Sequence, residues 1–362
     1  MSQSEAPEMA AKYPSWLPRP LTGGYIQKVE TELYRREIQR RKHHAPGMTS
    51  TPQFTTYCSS VGLDPDNARA NRYIDIYPYD KSRLLLPSGA YLNASWVKER
   101  AGGKWMVATQ APLERTAHTF LSMFLEPVTP SHSIKSPPAA NRLRTIVQLT
   151  PNIEGNTAKA FQYFPKRVGE EMIWTPPNQI LVPPIKVKLL QMSRPEDGGG
   201  DSSWIHSVLE LSYEDDQSPK HLVRHIHYLF MQFVEACNQD TSHIDASKNP
   251  DPPIVVGCSA GVGRTGTFIA LASLLRYHNL NRPINLPVQE KTDASEADWS
   301  GDPLPESPFG PLPQEIQNDL IALEVDYLRD QRPLMVQSRE QLRFLYQVFP
   351  AVMQLERGGD SN

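Results

Sequence analysis

Hydrophobic and polar positions along this chain follow two different periods. Spaced apolar residues among charges predict a helix over Tyr25–Arg41 and another over Thr116–Leu125, where Phe120, Met123 and Phe124 share one side. Short β-branched or alternating runs predict strands at Thr145–Leu149, Ile185–Leu190, Val208–Leu211 and Leu222–Tyr228. At Leu229–Asn238 the spacing turns helical, with Phe230, Phe233, Val234 and Cys237 apolar. Ile254–Val256 predicts a brief buried strand, and Phe268–Tyr277, Ile316–Arg329 and Arg339–Leu355 predict helices. Strands and helices mixed in this way predict an α/β fold in which helices cover a sheet.

Proline divides the pattern. Three stretches rich in proline, glycine, serine and acid read as surface insertions, near 127–141, 196–203 and 287–313, because they cannot bury enough apolar surface to order themselves. The expected organisation is a proline-containing arm over 1–24, one domain over 25–355 and a flexible end over 356–362. With 362 residues and 39% of them hydrophobic, the chain can build a real core. A net charge of −3 supplies no global field for nucleic acid, and the apolar runs fall short of a membrane span. Three cysteines without a C-x-x-C pair argue against a disulfide framework or zinc site and fit a reducing, cytoplasmic setting. No apolar run follows a basic start at the N-terminus, so no signal peptide is expected. His221, His225 and His227 read as strand histidines with no metal partner in register, and the basic run within Tyr34–His44 reads as a solvated helix face.

The densest chemistry follows the last predicted strand: Gly257-Cys258-Ser259-Ala260-Gly261-Val262-Gly263-Arg264-Thr265-Gly266. A strand, a glycine-rich turn and a helix starting near Thr265 aim backbone N–H groups and the positive end of a helix dipole at one point. Ser259, Ala260, Gly261, Val262, Gly263 and Arg264 would cradle a tetrahedral dianion such as phosphate, with the Arg264 fork binding two of its oxygens. Cys258 stands at the start of that positive nest, where thiolate is favoured over thiol, as a nucleophile requires. No Gly-Lys-Ser/Thr follows, which excludes a Walker-type loop. A turn holding an inert cysteine would share the Cys-to-Arg spacing but has no need of the whole run.

That run resembles the signature of the tyrosine-specific, non-receptor type protein-tyrosine phosphatases, and further segments resemble the family's pattern in the same order. Asn71-Arg72-Tyr73-Ile74-Asp75 resembles the phosphotyrosine-recognition loop, which implies that Tyr73 stacks on the substrate ring and Asp75 binds the peptide backbone. Tyr91–Ser95 and Ala108–Leu113 resemble two largely structural segments. Glu154 and Lys159, ahead of Phe161–Pro165, match the loop flanking the site. Gln337-Ser338-Arg339-Glu340-Gln341 resembles the loop that places the hydrolytic water, with Gln337 as the positioning residue and Gln341 its neighbour. Arg332 falls where the family has an active-site arginine and is expected to bind substrate, while Thr265 is expected to assist departure of the thiolate. The resemblance spans roughly Tyr25 to Gln354. It implies one α/β domain with a twisted mixed sheet flanked by helices, catalysis without metal or cofactor, and phosphotyrosine-containing proteins as partners.

Two departures stand out. The family usually has histidine before the cysteine, and this chain has Gly257, which weakens support for the thiolate. The family also carries a Trp-Pro-Asp loop after the strand matched by Val223–Tyr228, and its aspartate protonates the leaving phenolate. Here Tyr228 runs straight into Leu229, and none of the six tryptophans is followed by Pro-Asp. General acid help is worth about 10²–10⁴-fold. Asp215, Asp216, Asp298 and Asp302 are the other carboxylates weighed for that role; loss of a coding segment would leave the same join. Two functions therefore remain open: a protein-tyrosine phosphatase working through a cysteinyl-phosphate, with reduced turnover, and a phosphotyrosine-binding pseudophosphatase. Dual specificity fits less well, since Tyr73 implies a pocket too deep for phosphoserine.

Overall fold

The computed structural model describes residues 16–17, 22–44, 56–130, 143–177, 182–193, 204–215, 217–228, 252–278 and 307–359. Helices in chain order are α1 (Gly23–Arg41), α2 (Ser60–Leu63), α3 (Ala117–Leu125), α4 (Gly263–Tyr277), α5 (Leu320–Gln331) and α6 (Arg339–Gly359). The strands are β1 (Leu84–Leu85), β2 (Ala94–Lys98), β3 (Trp105–Gln110), β4 (Thr129–Pro130), β5 (Thr145–Gln148) and β6 (Ile153–Glu154). They continue with β7 (Thr157–Ala158), β8 (Glu171–Trp174), β9 (Ile185–Ser193), β10 (Trp204–Tyr213), β11 (His221–Tyr228) and β12 (Ile254–Cys258).

An eight-stranded sheet runs in the order β2-β3-β12-β5-β11-β10-β9-β8. Its four central strands, β3, β12, β5 and β11, are parallel, and antiparallel strands extend it on both sides. The fold is the expected α/β type, a mixed sheet flanked by helices. Side chains alternate across it: Met106, Ala108, Val147 and Val256 face α1, α4, α5 and α6. Val107, Ile146 and Val255 face α3, of which all nine residues are buried. β12 therefore emerges at the centre, with parallel neighbours on either side to hold its C-terminal end.

β3 is absent from the periodicity reading because its Thr109 and Gln110 look solvated, yet all six residues are buried. β10 outruns the expected Val208–Leu211 by four residues at its start, and α4 begins at Gly263, two residues earlier than expected. Two expectations need correction. α6 continues through residues 356–359, part of the expected flexible end. The basic run on α1 is a solvated face only in part: Arg35 and Arg41 are exposed, but Arg36 and Arg40 are 2% and 0% exposed. They bind Asp326 at 2.9 and 2.6 Å, and Arg40 also binds Asp330 at 2.7 Å. The expected helix Leu229–Asn238, Asp216, Asp298, Asp302 and most of the three insertions lie outside the described residues. No described helix is long and apolar enough to cross a membrane.

Candidate active site

The turn after β12 is shaped by close approach. Gly261 adopts φ +71°, and a Cβ there would lie 2.3 Å from the carbonyl carbon and oxygen of Thr109 on β3. Glycine is required on both counts. Gly266 in the first turn of α4 is equally constrained, since a Cβ would sit 2.4 Å from the amide nitrogen of Val336. Cys258 ends β12 with 5% exposure. It sits in a cavity of about 300 Å³ where Tyr73, Asp75, Glu154, Lys159, Gln337 and Gln341 meet Arg264. Ser259, Ala260 and Gly263 complete its wall, together with Ile76, which the sequence did not single out. Gly261 and Val262 shape the loop without lining the cavity.

Ser259 does more than belong to the turn. Its hydroxyl donates to Lys159 O at 2.9 Å, lies 2.8 Å from the Tyr73 hydroxyl, and so joins the flanking hairpin to the recognition loop. The recognition loop is anchored beneath by Arg72, whose guanidinium donates to Ala111 O at 3.1 Å and Pro112 O at 2.7 Å. The amide of Arg72 donates to Gln110 Oε1 at 2.9 Å. Segments read as structural are therefore what holds Tyr73 in place.

Arg264 donates to Thr150 Oγ1 at 2.8 Å, Leu149 O at 3.3 Å and Glu154 Oε1 at 2.5 Å. Glu154 thus acts on the cavity through the arginine. Thr150 was missed, though it lies two residues past the end of β5, the parallel neighbour of β12. Thr150 O in turn receives Gln148 Nε2 at 2.8 Å and lies 3.0 Å from His227 Nε2. His225 is a strand histidine, 3.2 Å from Gln148 Oε1, and burial pushes its pKa down to about 3, so it stays neutral.

Arg332 requires a correction. It was expected to bind substrate, but it is 0% exposed and lies behind the phosphate loop. It donates to Gly261 O at 2.8 Å, Ala260 O at 3.2 Å, Ser95 Oγ at 3.1 Å and Asn93 Oδ1 at 2.8 Å. Burial pulls its pKa down to about 10, against the opposing pull of the Tyr91 hydroxyl and of Cys258. Its role is to brace the loop from inside. Thr265 is also buried, and its hydroxyl has no hydrogen-bond partner among the described residues.

The loop before Gln337 carries two non-glycine residues in the left-handed region, Leu334 at φ 61° and Val336 at φ 56°. Each such residue costs about 1–3 kcal/mol, and most for a β-branched one. Nothing in the sequence announces this, since glycine is absent where the backbone would favour it. At Gly257 a Cβ would sit 3.2 Å from both Thr109 Cγ2 and Thr109 O. A side chain there would need Thr109 to yield.

Among the described residues, the cavity's carboxylates are Asp75 and Glu154. Asp215 caps the β10–β11 turn, accepting from Gln217 and Ser218 amides. β11, eight residues or about 26 Å long, separates that turn from the catalytic end of the sheet. Asp215 cannot reach the cavity.

The protein-tyrosine phosphatase family profile matches residues 67–290. Tyrosine-protein phosphatase 1 of Saccharomyces cerevisiae is 28% identical over 79% of this chain and 83% of its own length. Tyrosine-protein phosphatase 2 of Schizosaccharomyces pombe is 30% identical over 80% of this chain and 35% of its own. Human tyrosine-protein phosphatase non-receptor type 14 is 26% identical over 82% of this chain, which spans only 22% of that relative's length. A solved structure from work on PTPN18 and HER2 tyrosine phosphorylation sites has 17% identity and a TM-score of 0.57. It covers 91% of this chain and 94% of that one, and shares the fold. With its sheet, its phosphate loop and a profile match over most of its length, this chain belongs to the protein-tyrosine phosphatase family.

Proposed function

We propose that this chain dephosphorylates phosphotyrosine in cytoplasmic proteins through a phosphate ester on Cys258. The observation that carries this reading is the single cavity shared by Cys258, Arg264, Tyr73, Asp75 and Gln337. Tyr73 stacks on the substrate ring and Asp75 holds the peptide backbone. The Cys258 thiolate attacks phosphorus in line: an S–P bond forms and the P–O bond to the ring breaks, the phenolate leaving with the electron pair. The loop amides and Arg264 hold the equatorial oxygens. To do so, Arg264 redirects donors now spent on Thr150 and Glu154. Water placed by Gln337, with Gln341 and Lys159 beside it, then attacks phosphorus. The products are inorganic phosphate and the thiolate, whose departure the buried Thr265 hydroxyl assists.

A specific observation favours a second reading, phosphotyrosine capture with little turnover. Among the described residues the cavity holds two carboxylates: Glu154, paired with Arg264, and Asp75, which the first reading assigns to the peptide backbone. That reading therefore leaves no described carboxylate assigned to protonate the phenolate. The two readings are separated by burst and steady-state kinetics on an activated aryl phosphate and on a phosphotyrosine peptide across pH. A competent enzyme turns over the peptide with a bell-shaped profile; a capture module binds it tightly and turns over the activated ester alone. Cys258→Ser must abolish any turnover, and residual activity would refute the mechanism.

A further inference from the structure

The strained loop before Gln337 is held by residues of α1 and α5 that do not line the cavity. Its backbone has no glycine at Leu334 or Val336 to make a left-handed conformation comfortable, so the shape is imposed from outside. The amide of Leu334 donates to Glu37 Oε1 on α1 at 3.1 Å. Arg329 on α5 donates to Met335 O at 2.9 Å, to Val336 O at 2.8 Å and to Leu33 O on α1 at 2.9 Å. The amide of Val336 donates to Val262 O at 3.2 Å, tying the loop to the start of α4. Glu37 and Arg329 are buried, at 3% and 7% exposure, and their bonds grip both ends of the strained turn. Gln337 is the next residue and reaches the cavity. Cys258 and Arg264 share the Val262 contact with this loop but have further anchors of their own: β12, the Arg332 brace, Thr150 and Glu154.

We propose that Glu37 and Arg329 are positioning residues for hydrolysis of the phosphocysteine, and that α1 is part of the catalytic apparatus although it contributes no side chain to the cavity. By fixing Leu334–Val336, the two residues set where Gln337 holds water. This rests on the proposed function, since it takes Gln337 as the residue that orients that water. Misplacing a positioned group by about 1 Å costs on the order of a hundredfold in rate. The penalty should fall on the second chemical step and spare the first.

The test compares Glu37→Ala, which removes the acceptor for the Leu334 amide, with Glu37→Gln, which keeps an oxygen there and removes the charge. p-Nitrophenyl phosphate is mixed rapidly with the full chain; nitrophenolate reports phosphorylation of Cys258, and inorganic phosphate reports hydrolysis. Glu37→Ala should keep the nitrophenolate burst, lower the steady-state rate about tenfold to a hundredfold, and accumulate phosphocysteine; Glu37→Gln should restore the native rate. Amide exchange at Leu334 should accelerate in Glu37→Ala and return to native protection in Glu37→Gln. Equal slowing of burst and steady state, no slowing of either, or failure of Glu37→Gln to rescue overturns the proposal. Unchanged exchange at Leu334 with the burst intact removes the clamp alone. A native chain that releases neither nitrophenolate nor inorganic phosphate and forms no phosphocysteine removes the proposed function and the hydrolytic role with it.

Discussion

The space in front of the phosphate loop and the space behind it are each organised by an arginine, and the two arginines do opposite work. In front, Arg264 is 28% exposed at its side chain, pairs with a half-exposed carboxylate and faces the cavity. Behind, Arg332 is fully buried and binds carbonyl, hydroxyl and amide oxygens, with no carboxylate paired to it among the described residues. The front cation is available to a ligand because its present partners are exchangeable. The back cation is spent on the loop itself. Burial and partner type, more than closeness to Cys258, separate the arginine left open to a ligand from the one that shapes the site.

The contrast can be broken first from behind. Arg332→Ala should lower the stability of the fold by about 3–5 kcal/mol, because four buried acceptors lose their donor at once; urea unfolding reads this directly. A loss below 1 kcal/mol would mean that the loop supports itself. From the front, Arg264→Ala should slow phosphate transfer to Cys258 by about 10²–10³-fold while leaving the unfolding midpoint almost unchanged. If it unfolds the protein as readily as Arg332→Ala does, the division between front and back is wrong.

A third change sharpens the electrostatics of the back region. Glu324 on α5 is fully buried and accepts the amides of Arg100 and Ala101 at 3.0 and 2.9 Å. Burial, with help from Glu99, lifts its pKa from an ordinary 4.5 to about 7. The folded state therefore binds a proton that the unfolded chain has released between those values. Stability from this group is full below about pH 4.5 and falls as pH rises through about 7, by roughly 3 kcal/mol in total. Glu324→Gln should flatten that slope in unfolding curves taken from pH 5 to 8. Glu154→Gln should have the smallest effect on stability, about 0.2–1 kcal/mol, because its pair with Arg264 is partly exposed. Its larger signature should be a tighter grip on phosphate, because the Arg264 donors spent on Glu154 are released and a negative charge beside the dianion is lost; competition with inorganic phosphate reads it.

Much of the site was legible because its chemistry depends on residue type in fixed order. Cys258, Arg264 and the glycines between them had to be adjacent to form one turn, and Tyr73, Asp75, Glu154, Lys159, Gln337 and Gln341 do converge on it. The side of the loop an arginine takes depends on three-dimensional packing, so Arg332 was misread. Arg36 and Arg40 were misread for a related reason: a helical run of basic residues looks solvated until Asp326 and Asp330 arrive from α5. β3 escaped notice because a strand covered on both faces can bury Thr109 and Gln110 without showing alternation. Ser259 and Thr150 act through partners a hundred or more residues away in sequence, beyond the reach of any local pattern.

The direction of the outer strands has a use in engineering. β10 begins at Trp204, opposite Tyr228, and β9 ends at Ser193, opposite His206, so both termini lie at the catalytic end of the sheet. α4 leads the other way: its 15 residues carry the chain about 22 Å from the phosphate loop before Tyr277. Foreign sequence grafted between 193 and 204 would be delivered at the same end of the sheet as the phosphate loop, three strands along from β12, within reach for a docking tether. The same graft between 278 and 307 would leave from the base of α4, making that junction the one for a fluorescent reporter or affinity handle meant to leave catalysis alone.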